Sequence, residues 1–139
     1  MSPDLPPVGT VLAEPRTFAQ AEFDAFARVS GDDNPIHVDP QFSAETRFGR
    51  TVAHGMLLYT TLWGLVRRHF PGAVQDGQTM MFPAPTFAGE AMRLELEVLA
   101  YPAPGRCDLA TRVVRDGDGT ITLDGTARLR LAGGEGDAP

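Results

Sequence analysis

The chain has 139 residues and a formal net charge of −6, and its 12 basic residues are all arginine. That length suits one domain with a real core and is short for two. Hydrophobic residues at 42% and charged residues at 22% exclude a disordered chain, while arginines scattered at positions such as Arg16, Arg47, Arg93 and Arg128 argue against a nucleic-acid partner or an anionic membrane surface.

Cys107 is the only cysteine, so an intrachain disulfide and a cysteine metal cage are excluded, and a reducing cytoplasm is the expected location. The start, MSPDLPPVGTVLAEP, has neither a basic opening nor an apolar stretch, and no apolar run approaches the roughly 20 residues needed to span a bilayer. Both ends are rich in Pro, Gly and acid. The expectation is a single domain over residues 8–132, with flexible tails at 1–7 and 133–139.

GTVLAEPRT reads as a first strand. QAEFDAFARVSG puts Phe23, Phe26 and Ala27 on one helical face and ends on Gly31, a helix stop. VSGDDNPIHVDP, Val29 to Pro40, then gathers aspartates, an asparagine, a proline and one of three histidines. Taken alone, the cluster is either a loop of Asx-turns or an acid–base site. Asp39 before Pro40 has the form of an N-cap followed by proline at the first helical position, with QFSAETRFG continuing that helix. HGMLLYTTLWGLVRRHFPG, His54 to Gly72, carries no charge in its early turns and ends on Arg67, Arg68 and His69 before Pro71-Gly72, as a helix C-terminus should. A helix so apolar around its circumference is expected to be enclosed by the inner faces of strands.

QTMMFPAP is a plausible second strand. In MRLELEVL, Met92, Leu94, Leu96 and Val98 share one face and Arg93, Glu95 and Glu97 the other. CDLATRVV alternates less strictly, and RDGDGT joins it to the last strand as a hairpin turn. Its DGDG, Asp116 to Gly119, lacks the further ligands of a calcium loop. In TITLDGTARLRL, Ile121, Leu123, Ala127, Leu129 and Leu131 are expected to face in, and Thr122, Asp124, Thr126, Arg128 and Arg130 out. About five strands by this pattern give an α+β fold in which an antiparallel sheet wraps one long buried helix.

GDDNPIH, Gly31 to His37, resembles the G-D-x-N-P-x-H pattern of the MaoC-like, R-specific enoyl-CoA hydratases. VAHGMLL resembles that family's second landmark, and FPAPTFAGE, Phe82 to Glu90, its third, with Ala84 and Glu90 where the family more often has Arg and Asp. The resemblance runs from Phe18 to Leu131. It implies a hot-dog fold, an acyl-CoA thioester substrate, a homodimer or higher assembly such as a dimer of dimers, and reversible hydration of a trans-2-enoyl thioester. In its terms Asp32 is the dyad carboxylate and general base, His37 the partner that orients water and delivers the proton, and Asp33 the variable position.

That chemistry needs a base for water attack at C3, an acid for C2, and donors for an enolate-like oxygen. Gly55 opens the apolar helix, where free N–H groups and the positive dipole end would meet a docked carbonyl, and its missing side chain would let the oxygen approach. Asn34 reads as a loop brace beside the substrate. Tyr59 and Trp63, with Leu62 and Val66 beside them, lie on the helical face below Gly55 and are expected to line the acyl tunnel, Trp63 limiting it to short chains of about four to six carbons. His54 reads as a structural hydrogen-bonder at the helix start. His37, Asp39 and His54 are metal-ligand types without a recognised spacing, and no metal or other cofactor is expected beyond the coenzyme A of the substrate. The alternatives are a 3-hydroxyacyl-carrier-protein dehydratase, an acyl-CoA thioesterase and an inactive acyl-CoA binding module. Thioesterases of this fold commonly use a carboxylate on or beside the central helix, and Gly55 to Val66 has none.

Overall fold

The protein is described by a computed structural model over residues 5–133. Five antiparallel strands, β1 (Val11–Thr17), β2 (Val74–Met81), β3 (Ala91–Ala100), β4 (Arg106–Arg115) and β5 (Ile121–Arg130), lie in the spatial order β1-β3-β4-β5-β2. The helices are α1 (Gln20–Ser30), α2 (Pro35–Val38), α3 (Pro40–Ala44) and α4 (Gly55–His69). Of the expected tails, residues 1–4 and 134–139 lie outside the described residues, and the Pro6 carbonyl accepts a hydrogen bond from the Tyr101 hydroxyl.

Alternation in β3 translates directly into burial: Met92, Leu94, Leu96 and Val98 are each no more than 1% exposed. On the opposite face Arg112 bridges Glu95 and Glu97 at 3.1 and 2.9 Å. β4 is third of the five strands and buries residues of both parities, among them Leu109, Ala110, Val113 and Val114, which is why its sequence alternates poorly. The second strand runs earlier than QTMMFPAP suggests. It ends at Met81, since Pro83 and Pro85 have no N–H for a ladder.

Two expectations need correcting. Thr122 does not face out but is fully buried. The β4–β5 register slips between Val113, paired with Leu123, and Val114, paired with Ile121, so a bulge turns Thr122 inward. Nor does the sheet enclose α4 on all sides within this chain. Leu57, Leu58, Leu62, Leu65 and Val66 are buried, but Met56 is 49% exposed and Thr60 is exposed as well. The helix packs on β3, β4 and β5 by one broad stripe.

Candidate active site

Helix α1 ends as its sequence indicates, with Gly31 left-handed at φ 81° and its N–H bonded to Ala27 O at 2.9 Å. The chain then re-enters a helix within three residues. Asn34 caps α2 by accepting from Ile36 N at 3.1 Å, with Pro35 at the first position. Asp39 caps α3 by accepting from Gln41 N and Phe42 N, both at 3.1 Å, and α3 closes after Ala44, short of the QFSAETRFG run. These caps set the spacing of Asp32 and His37. They also commit the Asp39 carboxylate to backbone.

Asp32 is fixed through its backbone. Its N–H donates to Ser30 Oγ at 3.1 Å and its carbonyl accepts from His54 Nε2 at 2.8 Å, while its carboxylate stays 56% exposed. His37 is fixed through its ring. Nδ1 lies 2.6 Å from Val52 O, and a carbonyl only accepts, so Nδ1 carries the proton and Nε2 of the neutral ring presents a lone pair. Val52 is itself held, its N–H on Ile36 O at 3.0 Å and the next N–H, of Ala53, on Thr86 O at 2.8 Å. His37 Nε2 ends 3.8 Å from Asp32 Oδ2. That is too long for a direct hydrogen bond and suits two groups that share one small oxygen ligand.

The dyad opens on a cleft of about 440 Å³. Its apolar wall comes from Phe26, Ala53, Met56, Leu58 and Phe82, and its floor carries Thr86 and Thr122. Thr86 Oγ1 donates to Thr122 Oγ1 at 2.7 Å, which donates to Val113 O at 3.3 Å. Gly55 lies on this cleft at the first position of α4, and among the described residues no group accepts from its N–H. The space above its Cα is not open, however. An added Cβ would lie 2.6 Å from Cζ of Phe82, so the missing side chain makes room for that ring. A carbonyl must come in along the N–H or displace Phe82, which is 45% exposed.

The other expected substrate residues lie elsewhere. Asn34 is exposed and serves as a cap. Leu62 and Val66 are 1% and 2% exposed, packed in the core. Trp63 is half-buried against that core, and the half-buried Tyr59 donates to Gln75 Oε1 on β2. None of these five lines the cleft. Of the cleft residues the sequence reading omits, Phe26 shares the apolar face of α1 and Thr86 lies in the third landmark. Thr122 carried no local signal, because a bulge placed it. Cys107 is buried, which pushes its thiol up to about 11 and leaves it no nucleophile.

Asp32, His37 and His54 each bring one ligand-type atom within 4.8 Å of the others. The two imidazoles stack 3.9 Å apart at 22°. Ring lone pairs lie in the ring planes, and planes so nearly parallel do not meet at a point about 2.1 Å from both nitrogens. Such stacking is a poor geometry for holding one ion by both histidines.

A family model described as MaoC like domain matches residues 6–115. The chain is 37% identical to an (R)-specific enoyl-CoA hydratase of Aeromonas caviae over 127 residues, 89% of this chain and 94% of that one. It is 30% identical to a mitochondrial 3-hydroxyacyl-[acyl-carrier-protein] dehydratase of Arabidopsis thaliana over 127 residues, 89% and 76% of the two chains. Among solved structures, the A. caviae (R)-hydratase involved in PHA biosynthesis superposes with a TM-score of 0.84 at 37% identity, covering 90% of this chain and 96% of that one. The unliganded R-hydratase of Pseudomonas aeruginosa gives the same TM-score at 34% identity, with 90% and 81% covered. With its helix-on-sheet architecture and the cleft beside Asp32 and His37, the chain belongs to the MaoC-like domain family and has the hot-dog fold.

Proposed function

We propose that this protein is an (R)-specific enoyl-CoA hydratase, adding water reversibly across a trans-2-enoyl-CoA to give an (R)-3-hydroxyacyl-CoA. The observation that carries this reading is the tautomer of His37: with Nδ1–H spent on Val52 O, its free Nε2 faces the Asp32 carboxylate at 3.8 Å on the wall of an otherwise apolar cleft. A water between the two groups gives up one proton as its oxygen bonds to C3. The π electron pair moves toward C2 and the thioester oxygen, and C2 then takes a proton from the same pair of groups. Asp32 is the general base that takes the water's proton, the proton passes on to the empty Nε2 position of His37, and His37, which also orients the water, returns it to C2. The N–H of Gly55 is the donor for the thioester oxygen. One loop serving one substrate face supports syn addition.

Crotonyl-CoA tests this directly: absorbance at the enoyl-thioester band should fall without release of free thiol, and chiral analysis should return the (R) product. Thiol release would make the protein a thioesterase, and an (S) product would overturn the (R)-specific reading. Activity should survive exhaustive chelation, since the reading requires no metal. The 3-hydroxyacyl-carrier-protein dehydratase reading shares the same reacting centre and is supported by the plant relative. Comparing CoA-linked with carrier-protein-linked substrates separates them.

A preference for short acyl chains belongs to the same proposal. Along α4 the cleft is lined by Gly55, Met56 and Leu58 and by nothing further down the helix, which supports a chain of about four to six carbons. The kcat/KM ratio of crotonyl-CoA to 2-octenoyl-CoA should favour the shorter substrate, and Trp63→Ala should leave that ratio unchanged, because the indole does not line the cleft. Equal activity on both chains would remove the proposal. A homodimer, or a larger assembly built from it, is supported by the edge position of β2 and by exposed Val74, Met81, Phe82 and Met56 near it or on the open face of α4. A cytoplasmic location is supported by the lone reduced cysteine. No helix among the described residues is long and apolar enough to cross a membrane.

A further inference from the structure

His54 precedes α4 and occupies its N-cap position, yet its side chain makes no cap bond. The ring turns inward instead and is 2% exposed. Nε2 lies 2.8 Å from the Asp32 carbonyl, so Nε2 carries the proton. In a neutral ring Nδ1 is then a bare lone pair, and it is buried with no hydrogen-bond partner. The ring face stacks on His37 at 3.9 Å, and Phe26 lies tilted against it at 4.8 Å.

We infer that His54 is a positioning residue for the dyad: an uncharged imidazole whose Nε2–H holds the Asp32 backbone while its ring face holds His37. The inference rests on reading Asp32 and His37 as the reacting pair. Asp32 sits in the short link between α1 and α2, and among the described residues the only further bond holding its backbone is the one to Ser30 Oγ. Its carboxylate is more than half exposed and lacks a direct bond to His37. His54, reaching back from the start of α4, ties both members together at once. Charge matters to that task. An imidazolium would bury a second, unpaired N–H and would place a cation against His37 when that ring takes up a proton. Burial supports the neutral form by lowering the proton affinity of His54 below the ordinary imidazole value, and the His37 ring acts in the same direction, against the opposing pull of the Asp32 carbonyl and carboxylate.

Two substitutions separate the bond from the ring. His54→Phe keeps an aromatic face without the N–H, and His54→Gln keeps an N–H donor without the face. With crotonyl-CoA, His54→Phe should lower kcat by about 10- to 100-fold while KM stays within about 3-fold, because a misplaced base affects reaction more than binding. His54→Gln should recover part of that loss. Unchanged kcat in His54→Phe, a rise in KM instead of a fall in kcat, or equal losses in both variants would overturn the inference. The ring nitrogen NMR signals of His54 give a readout independent of turnover. A neutral Nε2–H ring is expected at pH 7, and an imidazolium or Nδ1–H ring overturns the inference whatever the activity. A wild-type protein inactive on both CoA and carrier-protein substrates would instead overturn the hydratase reading.

Discussion

Between Gly31 and Pro40 no side chain is buried, whereas β3 buries Met92, Leu94, Leu96 and Val98 almost completely. The first region takes its shape from directed bonds: two side-chain caps, a glycine in the left-handed region, a ring nitrogen on Val52 O and another on Asp32 O. Each such bond contributes about 1 kcal/mol net. The second takes its stability from apolar area, with about 1.5–3 kcal/mol for each fully buried large side chain. On the proposed function, chemistry and stability are therefore carried by different residues. Each should be damageable without the other.

The largest separation is expected at the dyad. Asp32→Asn and His37→Ala should each lower kcat for crotonyl-CoA by about two to four orders of magnitude, with urea midpoints near wild type, because the Asp32 carboxylate is 56% exposed and His37 loses a single strong bond. Asp33→Asn is the control, since its one hydrogen bond among the described residues uses its backbone N–H, and kcat should stay within about twofold. Near wild-type turnover in Asp32→Asn would break the assignment.

The reverse experiment is Leu96→Ala in β3. It should cost about 2–5 kcal/mol of unfolding free energy, while the protein that remains folded turns over at an almost unchanged rate. If its kcat, corrected for folded fraction, fell as far as its stability, the two regions would not be separable.

Asp39→Ala probes the boundary between them. Its carboxylate caps α3 and its backbone carbonyl accepts from Ser43 N at 2.9 Å, while Ser43 in turn donates to Ile36 O at 3.2 Å beside His37. Loss of the cap should cost about 0.5–2 kcal/mol in urea denaturation. The fall in kcat should stay below about tenfold, because Val52 and His54 still hold the dyad.

The smallest effect is in pH dependence. His54 binds its proton more weakly folded than unfolded, so the unfolded chain takes up the extra proton as pH falls below the ordinary imidazole value of 6.5. Stability from this group is complete above that pH and declines beneath it, by at most about 1.4 kcal/mol per pH unit. Glu22 is the opposite case in charge type. The hydrogen bond from Arg16 holds its carboxylate below the usual 4.5, so its contribution persists until the pH falls past that value. Between pH 6.5 and about 5 the wild type should thus lose stability faster than His54→Phe. Identical slopes would show that His54 takes its proton as readily folded as unfolded.

Much of this molecule could be read from local pattern. Period-two alternation located β3 and most of β5, and Gly31, Asn34, Pro35, Asp39 and Pro40 marked where helices stop and start, because strand pleat and helix capping act over a few residues. The pairing of Asp32 with His37 was legible only through the resemblance of GDDNPIH to the family pattern, whereas the placement of Gly55 at the opening of α4 followed from local pattern. What tertiary structure alone decided involves residues brought together from far apart in the chain. A bulge between β4 and β5 turned Thr122 inward onto Thr86, and Phe82 came to fill the space above Gly55. The sheet covered one stripe of α4, so Leu62 and Val66 became core rather than cleft. His54 reached back 22 positions to the Asp32 carbonyl. No periodicity encodes such contacts. They depend on strand register and on how connections cross the sheet, and those are settled only when the whole core packs.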